Sequence, residues 1–192
     1  QQAIQKEFYQ AGGMQTVLRM LVKETDGRIA EKAAAVLTNA TDGSIFARRL
    51  IFENDISCLL EGIGRGHPTT HGACWEFCAG AIRNLTVGGA ALEDQTSDSL
   101  CAIILRKIAL LCSLLVNGAA SQTTTVQEAL ASLCGTLCNL SLMSDNAAVL
   151  EGHDTREVLT TMIAELPGSD DIVRYATQAL SNLDCHASAL KL

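Results

Sequence analysis

A single phrase, spelled four times, restricts this chain more than anything else in it. The phrase is a large aliphatic residue, one variable residue, Asn, and usually another apolar residue. Its copies are Leu37-Thr38-Asn39-Ala40, Ile82-Arg83-Asn84-Leu85, Leu137-Cys138-Asn139-Leu140 and Leu180-Ser181-Asn182-Leu183, with the asparagines 45, 55 and 43 residues apart. Self-similarity at such a period marks stacked supersecondary units, each too small to bury its own faces. Every Asn closes a stretch rich in small residues, at 29–40, 73–85, 126–140 and 172–183. Apolar residues recur there at three- and four-residue steps, as in Ala176, Ala179, Leu180 and Leu183, which predicts helices able to pack closely.

Two shorter helices are expected before each long one. They read as 4–9 and 14–22 around a turn at 11–13, with a loop at 24–27. The second pair is 46–52 and 56–63, followed by a loop at 64–72. The third is 100–105 and 108–116, turning at Arg106 and Lys107 and leading into 117–123. The fourth is 146–150 and 157–166, turning at 152–154. Pro167-Gly168-Ser169-Asp170 then supplies a break and an N-cap for the last long helix.

Composition agrees with an all-α chain. Hydrophobic residues make up 48% of the 192 and charged residues 18%, which excludes intrinsic disorder. Aromatics are 4%, so the core is left to Ala, Leu, Ile, Val and Cys, and two prolines suit long helices. A net charge of −7 without a basic run gives no counterion-releasing face, so no nucleic-acid partner is expected. The most apolar window, 100–116, carries Arg106 and Lys107 at its middle, a costly arrangement in a bilayer, so no transmembrane span is expected. The chain opens on Gln1 and no signal peptide can be read, which fits an excised or processed segment. Eight cysteines sit mostly among Ala, Leu and Ile and read as small hydrophobes. They imply a reducing compartment and a cytoplasmic localisation, the nucleus remaining open.

The Gln10-Ala11-Gly12-Gly13-Met14 turn and the Leu-x-Asn-Leu endings together resemble the armadillo-repeat family over essentially the whole chain. The resemblance implies a right-handed solenoid of about four three-helix repeats, at 1–41, 42–86, 87–141 and 142–185. Residues 186–192 would open a further repeat or form a cap. The 55-residue interval departs from the family pattern by about ten residues, placed in the loop 88–97. In the family the third helices line a concave groove, and the Asn hydrogen-bonds the backbone of an extended bound peptide. Carried over, the ladder is Asn39, Asn84, Asn139 and Asn182; an amide has the donors and the acceptor a peptide backbone needs. The alternative is that Asn only caps or bridges neighbouring helices.

Helical spacing puts Lys32, Arg28, Phe77, Glu76, Ser132, Glu128, Gln178, Tyr175 and Arg174 on the same face. Importin-type members carry Trp four residues before the Asn. This chain has Ala35, Gly80, Gly135 and Gln178 there, so recognition of nuclear-import signals is not expected. Trp75 reads as core, and Phe77 and Tyr175 as groove aromatics. Arg28, Lys32, Arg83 and Arg174 would favour acidic partner positions, tempered by Glu76 and Glu128. The expected function is a protein–protein interaction module for an extended peptide. Its alternative is a scaffold that associates through solenoid ends or the convex face, including self-association.

Other motifs carry less. Asn39-Ala40-Thr41, Asn84-Leu85-Thr86 and Asn139-Leu140-Ser141 match the glycosylation sequon, but the repeat itself writes Asn followed by Ser or Thr. His67, His71, Cys74 and Cys78 have ligand chemistry without a zinc spacing, so no metal is assigned. Gly62-Ile63-Gly64-Arg65-Gly66 follows a helix and lacks the Gly-Lys-Ser/Thr of a phosphate loop. With no nucleophile elbow and no acid–base pair at workable spacing, neither an enzyme nor a cofactor is expected.

Overall fold

The computed structural model describes residues 2–42, 56–87, 94–118 and 123–189. Among them are ten α-helices and no strand: α1 (Gln2–Gln10), α2 (Gly13–Lys23), α3 (Gly27–Thr41), α4 (Ser57–Gly62), α5 (Pro68–Thr86), α6 (Asp94–Val116), α7 (Thr123–Leu140), α8 (Ser144–Gly152), α9 (Thr155–Glu165) and α10 (Asp170–Ala189). The fold is all-α. Its four small-residue-rich helices stack in chain order, α3 on α5, α5 on α7 and α7 on α10, and these are the largest interfaces. The other helices, the 23-residue α6 among them, pack behind them around a continuous core of Leu, Ile, Ala and Cys, with Trp75 its largest fully buried side chain.

Local chemistry explains the starts and stops. Asp26 caps α3 by accepting from the Arg28 N–H, and His67 accepts from Thr69 N just ahead of Pro68, where a missing N–H costs nothing. Gly12 takes φ +73° between α1 and α2, a left-handed turn that suits glycine. Cations cap helix C-termini between units. Arg65 Nη1 donates to the carbonyls of Leu21 and Val22 at 2.9 and 2.5 Å, and Lys107 Nζ to that of Ile63 at 2.6 Å. The Arg65 loop is itself pinned, because Trp75 Nε1 donates to the Arg65 carbonyl at 2.9 Å.

Four expectations change. The pair 100–105 and 108–116 is one continuous helix, α6, with no turn at Arg106 and Lys107, so this unit lacks the three-helix form in its described residues. Both residues are good helix formers. Arg106 stays exposed and Lys107 finds a carbonyl acceptor, so their charges give no reason to break the helix. The loop at 64–72 is shorter, since α5 begins at Pro68. The tail from Cys185 to Ala189 continues α10 instead of opening a separate helix; no Gly or Pro interrupts it, and the His186 ring meets the Ser141 carbonyl at 3.1 Å. The loop at 88–97 is helical from Asp94 onward. The expected helix 46–52 lies outside the described residues. By length and composition 98–116 could cross a membrane; here Leu100, Cys101, Ile104, Ile108 and Leu111 are buried against the protein.

Candidate binding face

The four asparagines occupy equivalent places, and three do the same thing. Asn84 Nδ2 donates to the Thr38 carbonyl and to Thr41 Oγ1 at 3.3 and 3.4 Å. Asn139 Nδ2 donates to the Arg83 carbonyl and Thr86 Oγ1, both at 3.3 Å. Asn182 Nδ2 donates to the Cys138 carbonyl and Ser141 Oγ at 3.3 and 3.0 Å. Each amide thus bridges back to the previous long helix, to the residue before that helix's Asn and to the hydroxyl two after it. The carbonyls lie at the C-terminal ends of the long helices, where the helical ladder runs out, and the next unit's amide adds a donor to each. The same hydroxyls donate to the same carbonyls, as Thr41 does to Thr38, Thr86 to Arg83 and Ser141 to Cys138.

These contacts give the Asn-x-Ser/Thr pattern a structural reason: Thr41, Thr86 and Ser141 are buried acceptors for the following unit. They also orient the amides, since only Nδ2 can donate to a carbonyl. No hydrogen bond among the described residues takes Oδ1 of Asn84 or Asn139, whereas Asn182 Oδ1 accepts from Gln178 Nε2 at 3.1 Å. Asn39, in the first unit, is exposed and has no partner among the described residues.

Seven and eight residues before each Asn lie Lys32 and Glu31, Phe77 and Glu76, Ser132 and Ala131, and Tyr175 and Arg174, all at least partly open to solvent. Glycine four residues before Asn139 has a steric cause. A Cβ on Gly135 would stand 2.8 Å from Arg83 Nε, whereas one on Gly80 would meet the Thr38 methyl at an ordinary contact distance of 3.4 Å. At Gly135 the space is already taken by the previous unit's side chain. Arg83 crosses Gly135 and hydrogen-bonds the Tyr175 hydroxyl, with its guanidinium 4.5 Å from the ring centroid; Arg174 lies over the same ring at 4.3 Å. Arg174 also pairs with Asp171 at 2.6 Å. In the first unit Lys32 pairs with Glu31 at 2.9 Å and Arg28 with Asp26 at 3.6 Å.

An acidic group lies nearer the starts of these helices. Burial, reinforced by the Glu128 carboxylate and then Glu31, raises Glu76 to about 7. Its ordinary value is near 4.5, so the folded state binds more protons than the unfolded one between those values, and stability from this group falls as pH rises through that window. Glu76→Gln is therefore expected to raise the melting temperature most at pH 8, with the difference from wild type shrinking toward pH 5. A pH-independent difference would contradict the shared-proton arrangement. Glu31, absent from the sequence-derived face, joins this group; its signal in the sequence is that it stands, like Glu76, eight residues before an Asn.

The His and Cys cluster is divided among separate contacts. His67 caps α5, His71 Nδ1 meets Thr70 Oγ1 at 2.8 Å, and Cys74 and Cys78 are buried in the core one helical turn apart. Among the described residues no three His, Cys, Asp or Glu side chains are grouped to hold a metal ion.

No family model matches this chain, and no curated protein matches it. It is similar to the crystal structure of an engineered protein, a Northeast Structural Genomics Consortium target, with a TM-score of 0.71 at 18% identity. The similarity covers 97% of this chain and 68% of that one. At that identity the likeness speaks to the fold alone, an all-α one.

Proposed function

We propose that the chain is an armadillo-like, right-handed solenoid of about four units, and that its row of long helices is a groove holding an extended segment of a partner protein. The observation that carries this reading is the set of residues seven and eight before each Asn. Four successive helices leave them side by side and open to solvent, while the residues three before Asn84, Asn139 and Asn182 are buried. The asparagines contribute less through Nδ2, which is engaged, and more through the free Oδ1 of Asn84 and Asn139, an acceptor for a peptide N–H. Side-chain selectivity comes from Arg83 and Arg174, which favour acidic partner positions. Eight free thiols suit a reducing compartment such as the cytoplasm.

A second reading, assembly through the solenoid ends, has its own support. Ile29 and Val36, ten and three residues before Asn39, are 39% and 42% exposed. Their counterparts Cys74 and Ala81, Ala129 and Thr136, and Ile172 and Ala179 are all at most 2% exposed. With Met20 they make an apolar edge of inter-unit type.

One experiment separates the two. Extended peptides are selected by display on the wild type and tested on Arg83→Gln/Arg174→Gln, with sedimentation of both proteins. Acidic peptides that weaken about tenfold on the folded double variant support the groove, in line with loss of charge-assisted contacts. Peptides that bind both proteins equally, or none enriched, sink it. Concentration-dependent association that both proteins share would then favour the ends.

A further inference from the structure

A second site is built by α6, α9 and the residues flanking them, with none from the stacked helices α3, α5, α7 and α10. Where α9 runs beside the latter half of α6, the two leave an open groove of about 520 Å³. Its apolar floor is formed by Val116 and Val158, with Ile108, Cys112 and Met162 buried just beneath them, and Ser113, Asn117 and Thr161 add polar lining. Its rim carries the exposed carboxylates of Asp154, Glu157 and Glu165, and no Lys, Arg or His lines it. None of the three is ion-paired among the described residues. The nearby Arg156 is held by Glu151 and Asp184, and His153 by Asp98. Glu165 is fixed over the floor by Cys112, whose thiol lies 3.5 Å from Oε2. Burial, with the carboxylate beside it, pushes that thiol up to about 11, so it stays protonated and donates.

Three exposed like charges around an apolar floor are complemented together by a ligand that is both cationic and apolar. A neutral small molecule would cover the floor and leave the carboxylates unanswered. We propose that this groove docks a short basic amphipathic segment of a partner protein, with aliphatic side chains on the floor and Lys or Arg on the rim. The chain's net charge of −7 assists the approach of such a segment.

The probe is a helical peptide of about 14 residues, with Leu on one face and Lys on the other, compared with the same peptide carrying Glu in place of Lys. Methyl NMR signals of Met162 and Ile108 are followed in the intact chain. The lysine peptide is expected to shift both, with an affinity that falls about tenfold or more on going from low to high salt. Glu157→Lys/Glu165→Lys, two exposed changes, is expected to lose that binding. Glu7→Lys/Glu61→Lys, with the same net charge, is expected to keep it. Thr161→Trp, filling the groove from an exposed position, should also abolish it. The proposal is overturned if the glutamate peptide binds equally well, if both charge variants lose binding alike, or if neither methyl moves.

Discussion

Replacing Trp75 by alanine is expected to destabilise the fold by about 3–5 kcal/mol, the range for removing a large buried aromatic side chain. Trp75 is 2% exposed and is the largest side chain in the core. Its loss removes more than volume. The indole N–H holds the Arg65 carbonyl, and the Arg65 guanidinium closes the last turn of α2. An unpaired carbonyl there adds on the order of 1 kcal/mol. For a chain of this length the melting temperature should fall by roughly 10–15 °C. Trp75→Phe keeps one aromatic ring in the core but loses the N–H and the volume of the second ring, so its cost should be about 1–3 kcal/mol. An alanine variant that melts within a few degrees of wild type would show that the Arg65 loop does not depend on Trp75.

The second large effect belongs to the asparagines as clasps. Asn84→Ala and Asn139→Ala each delete two N–H···O contacts to the preceding long helix, while the carbonyls keep the Thr41 and Thr86 hydroxyls as donors. Each is expected to cost about 1–2 kcal/mol, and the pair about 2–4, since the two amides share no acceptor. Asn39→Ala is the internal control. Its side chain is exposed without a partner among the described residues, so denaturant midpoints should barely move. A double-mutant cycle between Asn139→Ala and Thr86→Ala should give a coupling energy clear of zero. Equal, negligible losses at all three asparagines would refute the clasp. Because the clasp is structural, a binding test that deletes Asn84 and Asn139 would confuse ligand loss with loosening of the stack. That is why Arg83 and Arg174 are the residues to change.

Much of this was legible without coordinates. The Asn period located all four long helices to within a few residues at most boundaries, because a 3.6-residue apolar repeat is a local property of the chain. Trp75 could be placed in the core by its position nine residues before Asn84 on a helix of small residues. Helix ends were harder. Arg106 and Lys107 look like a turn when read as charges, yet α6 runs through them because the exposed Arg106 donates to the Ala102 carbonyl and Lys107 to that of Ile63. Whether a charged pair interrupts a helix depends on what lies beside it, and its neighbours in sequence do not say.

The sequence by itself determined the helical class, the fourfold stacking phrase and the small-residue faces that let helices approach. Tertiary structure alone decided what the polar atoms on those faces meet. The amide of each Asn could have faced a ligand or a neighbouring helix. The register between successive helices carries Asn84, Asn139 and Asn182 to the last turn of the preceding one. That same register puts Arg83 across Gly135 onto Tyr175, ninety-two residues away along the chain, and brings Glu31, Glu76 and Glu128 together. Periodicity fixes which side of a helix is apolar. The axial offset of one helix against the next comes from packing side chains into the space their neighbours leave, and only the folded stack sets it.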